Sequence, residues 1–376
     1  MHSKEQSQHF MRRALELARQ AWGQTHPNPM VGAVIVEQEN VVAEGWHRAA
    51  GKPHAEVEAL QALGRKPNKN AIMYVTLEPC STQGRTGACT TAILESGIRT
   101  LVVGAIDPNP NHAGRGIERL RADGIHVTTG ICEADCCDLN LIFNHWIAGQ
   151  QPLIALKMAL TLDGKFAAAS GHSKWVTGDP ARADVMQWRR YFPAIAVGAN
   201  TVLNDDPSLT SRIGDSVWCP IRFVVDRTLK TVGTVPLPKL YTDAYKARTI
   251  VLCSETSAVD SRNTLEQLGV GVWQLPEVDG HIDLIAFRKR CARENIYGVY
   301  FEAGPTMASA LLEQQLADYA FVYQAPKLMN DSAAPGIGYP RSTELITEAL
   351  QLKDVRHAIL GEDVLTRGRI GTSNFE

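Results

Sequence analysis

His54 and Glu56 stand two residues apart, and Pro79, Cys80 and Cys89 follow within the first hundred residues. Two thiolates and one imidazole form a ligand set that suits zinc, and three protein ligands leave the fourth tetrahedral position to a reacting water. Zinc brings the pKa of such a water toward neutrality, so a carboxylate that is not itself a ligand can move the protons. Glu56 has the spacing for that task. An HxE pair with a PC dipeptide and a further cysteine marks zinc-dependent nucleobase deaminases, in which water replaces a ring amine and ammonia leaves. The close CxxC of that class is absent. Instead PCSTQGRTGAC puts eight residues between the thiols, so the loop must fold back on the metal. Taken singly, a histidine at a helix start or a small apolar cysteine is an ordinary structural residue; the constellation is what points to a metal. A purely structural zinc would need a fourth protein ligand, for which Cys132 or His47 is available. Cys132, Cys136 and Cys137 cluster with no histidine or CxxC at finger spacing, and read as packing thiols.

The elements that must position these residues follow from periodicity. Phe10, Ala14, Leu17, Ala18 and Ala21 recur at helical spacing, predicting a helix over about 5–22. VGAVIV and VVAEG read as paired strands, HAEVEALQAL as a helix, AIMYVTL as a strand and TTAILES as a helix. Both ligand clusters therefore fall at helix starts, where backbone N–H groups and the dipole favour thiolate. Strand TLVVGAI, a helix after AGRG and strand HVTTG complete a three-layered α/β domain. The pattern restarts after Gly149, Gln150, Gln151 and Pro152, which places a boundary between residues 1–150 and 151–376. Strands LIALKMAL, FPAIAVGA, IRFVVD, RTIVLC, VGVWQL, IYGVYFE and ADYAFVYQAP follow, with helices near 180–190, 283–293 and 305–314. Gly304 ends a strand and opens a helix whose backbone N–H groups can receive phosphate. Asp163–Gly164 and Asp205–Asp206–Pro207 read as turns.

The chain has 376 residues, a length that suits two domains. With 38 basic and 40 acidic side chains its formal charge is -2, which gives no basic field for nucleic acid. No apolar run reaches membrane-spanning length and the start lacks the apolar core of a secretory signal. Eight cysteines in such a chain fit a reducing, cytoplasmic setting.

Several ordered blocks go further. HPNPMVGAVIV, GWHRAAGKPHAEVEAL, TLEPCSTQGRTGAC and DPNPNHAGRGIERL resemble the pyrimidine deaminase half of the bifunctional riboflavin biosynthesis enzymes of the RibD family. Two departures stand out: Thr82 follows Ser81 where the family commonly has histidine, and Gly87–Ala88 replace a proline pair before Cys89. Downstream, KMALTLDGKFA, GHSKWVTG, VGANTVLNDDPSLTSR and FEAGPTMASALL resemble that family's reductase, with Thr161 where serine is common. The resemblance covers nearly the whole chain. It implies an N-terminal cytidine-deaminase-like α/β/α domain and a C-terminal dihydrofolate-reductase-like α/β domain. It implies zinc on His54, Cys80 and Cys89, Glu56 as catalytic proton carrier, and NADPH at Ala159, Trp175, Thr201, Asp205 and Gly304–Pro305–Thr306. Ser173, Arg189, Leu209, Arg212 and Glu302 fall where the family binds substrate; Lys157 and Asp205 are candidates to donate a proton. The implied activity is deamination of a phosphoribosylaminopyrimidine followed by reduction of its ribosyl group to ribityl, in a homo-oligomer. A nucleobase or nucleoside deaminase of other specificity with an accessory domain is the alternative.

Overall fold

The computed structural model describes residues 2–82, 87–110, 112–337 and 344–371. The chain divides into two compact units, Met1–Gln150 and Gln151–Glu376. Three residues of the GRTG stretch and Asn111 of the DPNPNHAGRG block lie outside the described residues.

The first unit holds β1 (Gly32–Glu37), β2 (Asn40–Trp46), β3 (Ile72–Leu77), β4 (Thr100–Ala105) and β5 (His126–Thr129) in the sheet order β2-β1-β3-β4-β5. β1 pairs antiparallel with β2 and β3, whereas β3, β4 and β5 run parallel. Every residue of β1 and β3 is buried, as expected of central strands covered on both faces. The helices are α1 (Lys4–Arg19), α2 (Ala55–Leu63), α3 (Cys89–Ser96), α4 (Arg115–Ala122), α5 (Glu133–Leu139) and α6 (Leu141–Gly149). A reciprocal Ser3–Gln6 capping box starts α1. The helix stops three residues short of the sequence expectation. Gln20, Ala21 and Trp22 donate back to Leu17, Ala18 and Arg19 in i→i+3 turns that tighten and end it. Of the cysteines read as packing thiols, Cys136 is buried and Cys132 half-buried, but Cys137 is exposed, so that reading fails for Cys137. It lies near the end of α5, a short helix whose faces are not all covered.

The second unit is built on β6 (Leu153–Thr161), β7 (Ala194–Gly198), β10 (Ile221–Val225), β11 (Thr249–Ser254), β12 (Gly271–Leu275), β15 (Gly298–Glu302), β16 (Tyr319–Ala325), β17 (Leu352–Leu360) and β18 (Asp363–Ile370). Their order is β12-β11-β10-β7-β15-β6-β16-β18-β17. The first seven strands in that order are parallel, and β18 and β17 close one edge antiparallel. Two small hairpins, β8 (Ser211–Ile213) with β9 (Ser216–Trp218) and β13 (Glu277–Val278) with β14 (His281–Ile282), stand outside the sheet. The crossovers contain α7 (Asp179–Tyr191), α8 (Ala199–Asp205), α9 (Lys239–Thr242), α10 (Val259–Gln267), α11 (Leu284–Arg293) and α12 (Pro305–Glu313). Alternate strand residues feed separate cores: Ile154, Leu156, Ala196 and Phe301 join one, whereas Ile195, Val197, Val224 and Val251 join another. Such a sheet leaves its ligand crevice beyond the carboxyl ends of the strands. Among the described residues no helix is long and apolar enough to cross a membrane.

Candidate active sites

In the first unit the three expected ligands meet. His54 caps the start of α2 and Cys89 is the first residue of α3, while Cys80 sits in the loop leaving β3. His54 Nδ1 lies 3.1 Å from Cys89 Sγ and 3.6 Å from Cys80 Sγ, and the two sulfurs are 3.4 Å apart. One nitrogen and two sulfurs, all within 4.8 Å of one another, are a donor set that fits zinc with its fourth position left to water. No further histidine, cysteine, aspartate or glutamate among the described residues joins the group. The two proposed fourth ligands are engaged elsewhere. His47 is buried with Nε2 3.1 Å from the Asn28 amide and Nδ1 3.0 Å from the Pro53 carbonyl, and the Cys132 thiol donates toward the Gln8 carbonyl.

The local backbone prepares the sulfurs. The Cys89 N–H at the start of α3 donates to Cys80 Sγ at 3.3 Å. The Cys89 thiol, hydrogen-bonded to Cys80, holds the Cys80 thiol well below its ordinary range, while Cys89 itself is raised. Glu56 is 3 % exposed, and burial pushes its carboxyl up to about 7. A carboxyl there can both take and give a proton near neutrality.

The sequence reading passed over Glu78, two residues before Cys80. Its buried carboxylate accepts from the backbone N–H groups of Asp107, Gly114, Gly116 and Ile117 at 2.9–3.3 Å. It thereby ties the Cys80 loop to the start of α4. Gly116 is required there, because a Cβ would stand 2.1 Å from the Pro79 carbonyl oxygen. An acidic residue inside the TLEPC run, adjacent to a ligand and flanked by apolar strand, was the available signal. Arg119 adds a second tie from α4, donating to the Thr90 and Thr91 hydroxyls of α3. Of the departures from the family pattern, Thr82, Gly87 and Ala88 flank the undescribed part of this loop.

In the second unit a cavity of about 1170 Å³ opens at the carboxyl ends of the strands. Every carried-over position lines it: Ala159, Trp175, Thr201, Asp205 and Gly304–Pro305–Thr306, and also Ser173, Arg189, Leu209, Arg212 and Glu302. The volume exceeds that of a pocket for one drug-sized ligand and fits a dinucleotide beside a second molecule. Gly304 caps α12 with a proline in its first turn, leaving the following N–H groups for phosphate. Asp205 ends α8 and pairs with Lys174 at 3.6 Å, so the stretch read as a turn is the last turn of a helix, closed by Asp206 at φ +41°.

Arg189 is not a loose phosphate grip. Its Nε and Nη2 meet both Glu302 oxygens at 2.6 and 2.8 Å, and Nη1 donates to the Thr210 carbonyl at 2.9 Å. Burial would raise the Glu302 carboxyl, but the Arg189 charge and hydrogen bonds outweigh it and hold Glu302 below its ordinary value. Lys157, opposite Glu302 in the β6–β15 register, is lowered by burial, with Glu302 opposing the shift. Leu209 is 1 % exposed and held at φ +52°, so its side chain is core and its backbone is what faces a ligand. Arg212 is exposed and braced by the Ser208 and Thr210 hydroxyls. Behind the turn at Asp163, the carboxylate accepts from Thr161 Oγ1 and from the N–H groups of Met329 and Asn330, fixing the loop beside the cavity.

A three-ligand N/S centre beside a buried glutamate on one α/β unit, and a dinucleotide-sized crevice on a second, define a zinc-dependent deaminase joined to a nicotinamide-dependent reductase. Residues 4–105 match the cytidine and deoxycytidylate deaminase zinc-binding region, and residues 152–366 match the RibD C-terminal domain. The chain is 39 % identical to the riboflavin biosynthesis protein RibD of Aquifex aeolicus, covering 96 % of this chain and 98 % of that one. It is also 39 % identical to the Escherichia coli RibD, with the same coverage. Among solved structures, Acinetobacter baumannii RibD is 34 % identical with a TM-score of 0.78, covering 98 % of this chain and 100 % of that one. The Thermotoga maritima diaminohydroxyphosphoribosylaminopyrimidine deaminase/5-amino-6-(5-phosphoribosylamino)uracil reductase is 33 % identical with a TM-score of 0.79, again covering 98 % and 100 %. The chain belongs to the RibD family, the bifunctional deaminase and reductase of riboflavin biosynthesis, with zinc and NADPH as its cofactors. The similarity along both halves leaves no ground for a deaminase of other specificity with an accessory domain.

Proposed function

We propose that Met1–Gln150 carries the deamination and Gln151–Glu376 the reduction, in that order, on 2,5-diamino-6-(5-phosphoribosylamino)pyrimidin-4-one. The observation that supports the first assignment most directly is the convergence of His54, Cys80 and Cys89 beside buried Glu56. His54, Cys80 and Cys89 hold the metal, and Cys80 and Cys89 stay anionic in its presence. Zinc, when bound, supplies Lewis-acid activation of the attacking water. Glu56 would carry the water's first proton, taken at a carboxylate oxygen, to the ring nitrogen, and the second, lost as the carbonyl forms, to the leaving amine, which departs as ammonia.

In the reductase, Arg189 orients Glu302, and Ser173, Arg212 and the backbone at Leu209 complete the substrate wall. Lys157 lies across the strand pair from Glu302 and is the better-placed of the two proton-donor candidates, since Asp205 is paired with Lys174. NADPH, when bound along Ala159, Trp175, Thr201 and the start of α12, supplies the reducing equivalent. The eight cysteines support a reducing, cytoplasmic setting, and family membership favours a homo-oligomer, which light scattering would read.

A coupled assay on the diaminopyrimidine tests the whole reading. Ammonia release should stop on chelation and return with zinc, and NADPH oxidation should require prior deamination. NADPH oxidation on the undeaminated compound, or none on the deaminated one, would overturn the order or the reductase assignment.

A further inference from the structure

Residues 171–178 form no helix or strand, yet Ser173, Trp175, Val176 and Thr177 all line the crevice of the second unit. Trp175 is 64 % exposed, so little apolar packing holds its ring. Backbone polar groups outside a ladder need other partners. Here charged side chains supply them at four successive residues. Lys327 Nζ donates to the Trp175 and Val176 carbonyls at 3.0 and 2.7 Å. Arg182 Nη1 donates to the Thr177 carbonyl at 2.7 Å, and its guanidinium carbon stands 4.5 Å from the centre of the Trp175 ring. The Asp363 carboxylate accepts from the Gly178 N–H at 2.7 Å, across 185 residues of sequence.

Neither Lys327 nor Asp363 lines the crevice itself. An exposed lysine is ordinarily a solvated charge, but one Nζ on two consecutive carbonyls has a fixed direction. Lys327 stands two residues beyond β16, and its own backbone is bonded to Leu162 and Ala325. Asp363 opens β18 and is buried. It meets the N-cap residue of α7, where the helix N-terminus favours an anion, and α7 is the helix that carries Arg189 to Glu302. Three elements distant in sequence thus converge on one short stretch of irregular backbone.

We propose that Lys327 and Asp363 are positioning residues of the reductase: with Arg182 they hold residues 171–178 as a preset wall, so that the Trp175 ring and Ser173 stand in place before any ligand enters. The proposal rests on the second unit being the reductase. Transfer of a hydride needs the two carbons aligned at about 3–3.5 Å, and a misplacement of about 1 Å costs about 10²-fold. A wall held by side chains spares the ordering of a loop at each turnover.

The test follows a single turnover of NADPH oxidation by the full chain with saturating deaminated pyrimidine, well below the melting temperature of each variant. Partial unfolding lowers the amplitude of such a trace, whereas a misplaced wall lowers its rate. Lys327→Met and Asp363→Ala should each slow the turnover about ten- to a hundredfold with the amplitude kept. Lys327→Arg and Asp363→Asn, which keep a donor and an acceptor at these positions, should stay within about threefold of the unsubstituted rate. Because Lys327 lies on the surface, Lys327→Met reads the wall even where Asp363→Ala fails to fold. An unchanged rate in Lys327→Met, or a loss of amplitude alone, would overturn the proposal. Equal slowing by the conservative variants would overturn it as well, because the hydrogen bonds would then not be the cause. Absence of NADPH oxidation by the unsubstituted protein would overturn the reductase reading, and the wall with it.

Discussion

At the scale of the residue, chemistry restricts identity so tightly that the convergence of His54, Cys80 and Cys89 was readable from the sequence. Only a few side chains bind zinc, and only a carboxylate at the right offset moves the protons, so His54, Glu56, Cys80 and Cys89 stood out together. Glu56→Gln should keep one zinc per chain and the fold while ammonia release falls by about 10²–10⁴. Metal analysis beside the rate checks this, and loss of zinc in the variant would make Glu56 a ligand instead. Glu78 was not readable, because its work is done on backbone N–H groups that any sequence supplies. Glu78→Ala leaves four such donors without their acceptor, each costing about 1–3 kcal/mol where water cannot replace it. The expected outcome is a first unit with a clearly lower melting temperature and weaker zinc retention against a chelator. Unchanged zinc retention would mean that the Cys80 loop is held without it. Arg189 and Leu209 illustrate the same limit. Both line the cavity, but that Arg189 is clamped on Glu302 and that Leu209 turns its side chain to the core follow only from tertiary packing.

Elements were legible where burial forces a clean period and illegible where it does not. Strands buried along nearly their whole length, such as β1, β3 and β7, are mostly apolar runs, and α2 and α12 begin at recognisable turns. The hairpin β17–β18 escaped notice because six of the nine residues of β17 are exposed, so neither alternation nor an apolar run marks it. Helix α8 escaped because seven residues make fewer than two turns of helix. Close element packing makes sharp predictions. Gly45 on β2 faces α2, and a Cβ there would lie 2.4 Å from Ala59 N and 2.5 Å from Ala55 O. Gly45→Ala must therefore push α2 outward, at a cost of about 1–3 kcal/mol, and displace His54 and Glu56 with it. Thermal unfolding and ammonia release should both suffer while NADPH oxidation on pre-deaminated substrate persists. In the second unit, fully buried Arg222 is held by Asp243 at 2.6 and 2.9 Å. Burial tends to raise the Asp243 carboxyl, but its hydrogen bonds to Arg222 and the guanidinium charge prevail and lower it. A lowered folded-state pKa gives stability that is present above the unfolded value, about 3.9, and lost as pH falls through the folded one. Asp243→Asn should thus cost the reductase unit about 3 kcal/mol at pH 7, and progressively less below about pH 4, by denaturant melts across that range.

On the scale of the whole molecule, two catalytic tasks are carried by two sheets, each with buried clusters of its own. The buried cluster around Ile35, Val75 and Val103 draws only on residues before Gln150, whereas the clusters around Phe223 and Val251 draw only on residues after it. The boundary was visible because a polar and glycine-containing stretch interrupts the pattern at Gly149–Pro152, and domain-sized apolar periodicity lies on either side. Units with separate cores can unfold separately, and a ligand stabilises only the unit that binds it. Zinc should therefore raise one calorimetric transition of the full chain and NADPH the other. At a hundred times its dissociation constant, NADPH should add about 2.7 kcal/mol to the second unit alone. Residues 1–150 expressed by themselves should retain zinc and release ammonia, and residues 151–376 should bind NADPH. A single transition that both ligands shift equally would show instead that the two halves fold as one cooperative body, and would move the physical boundary away from Gln151.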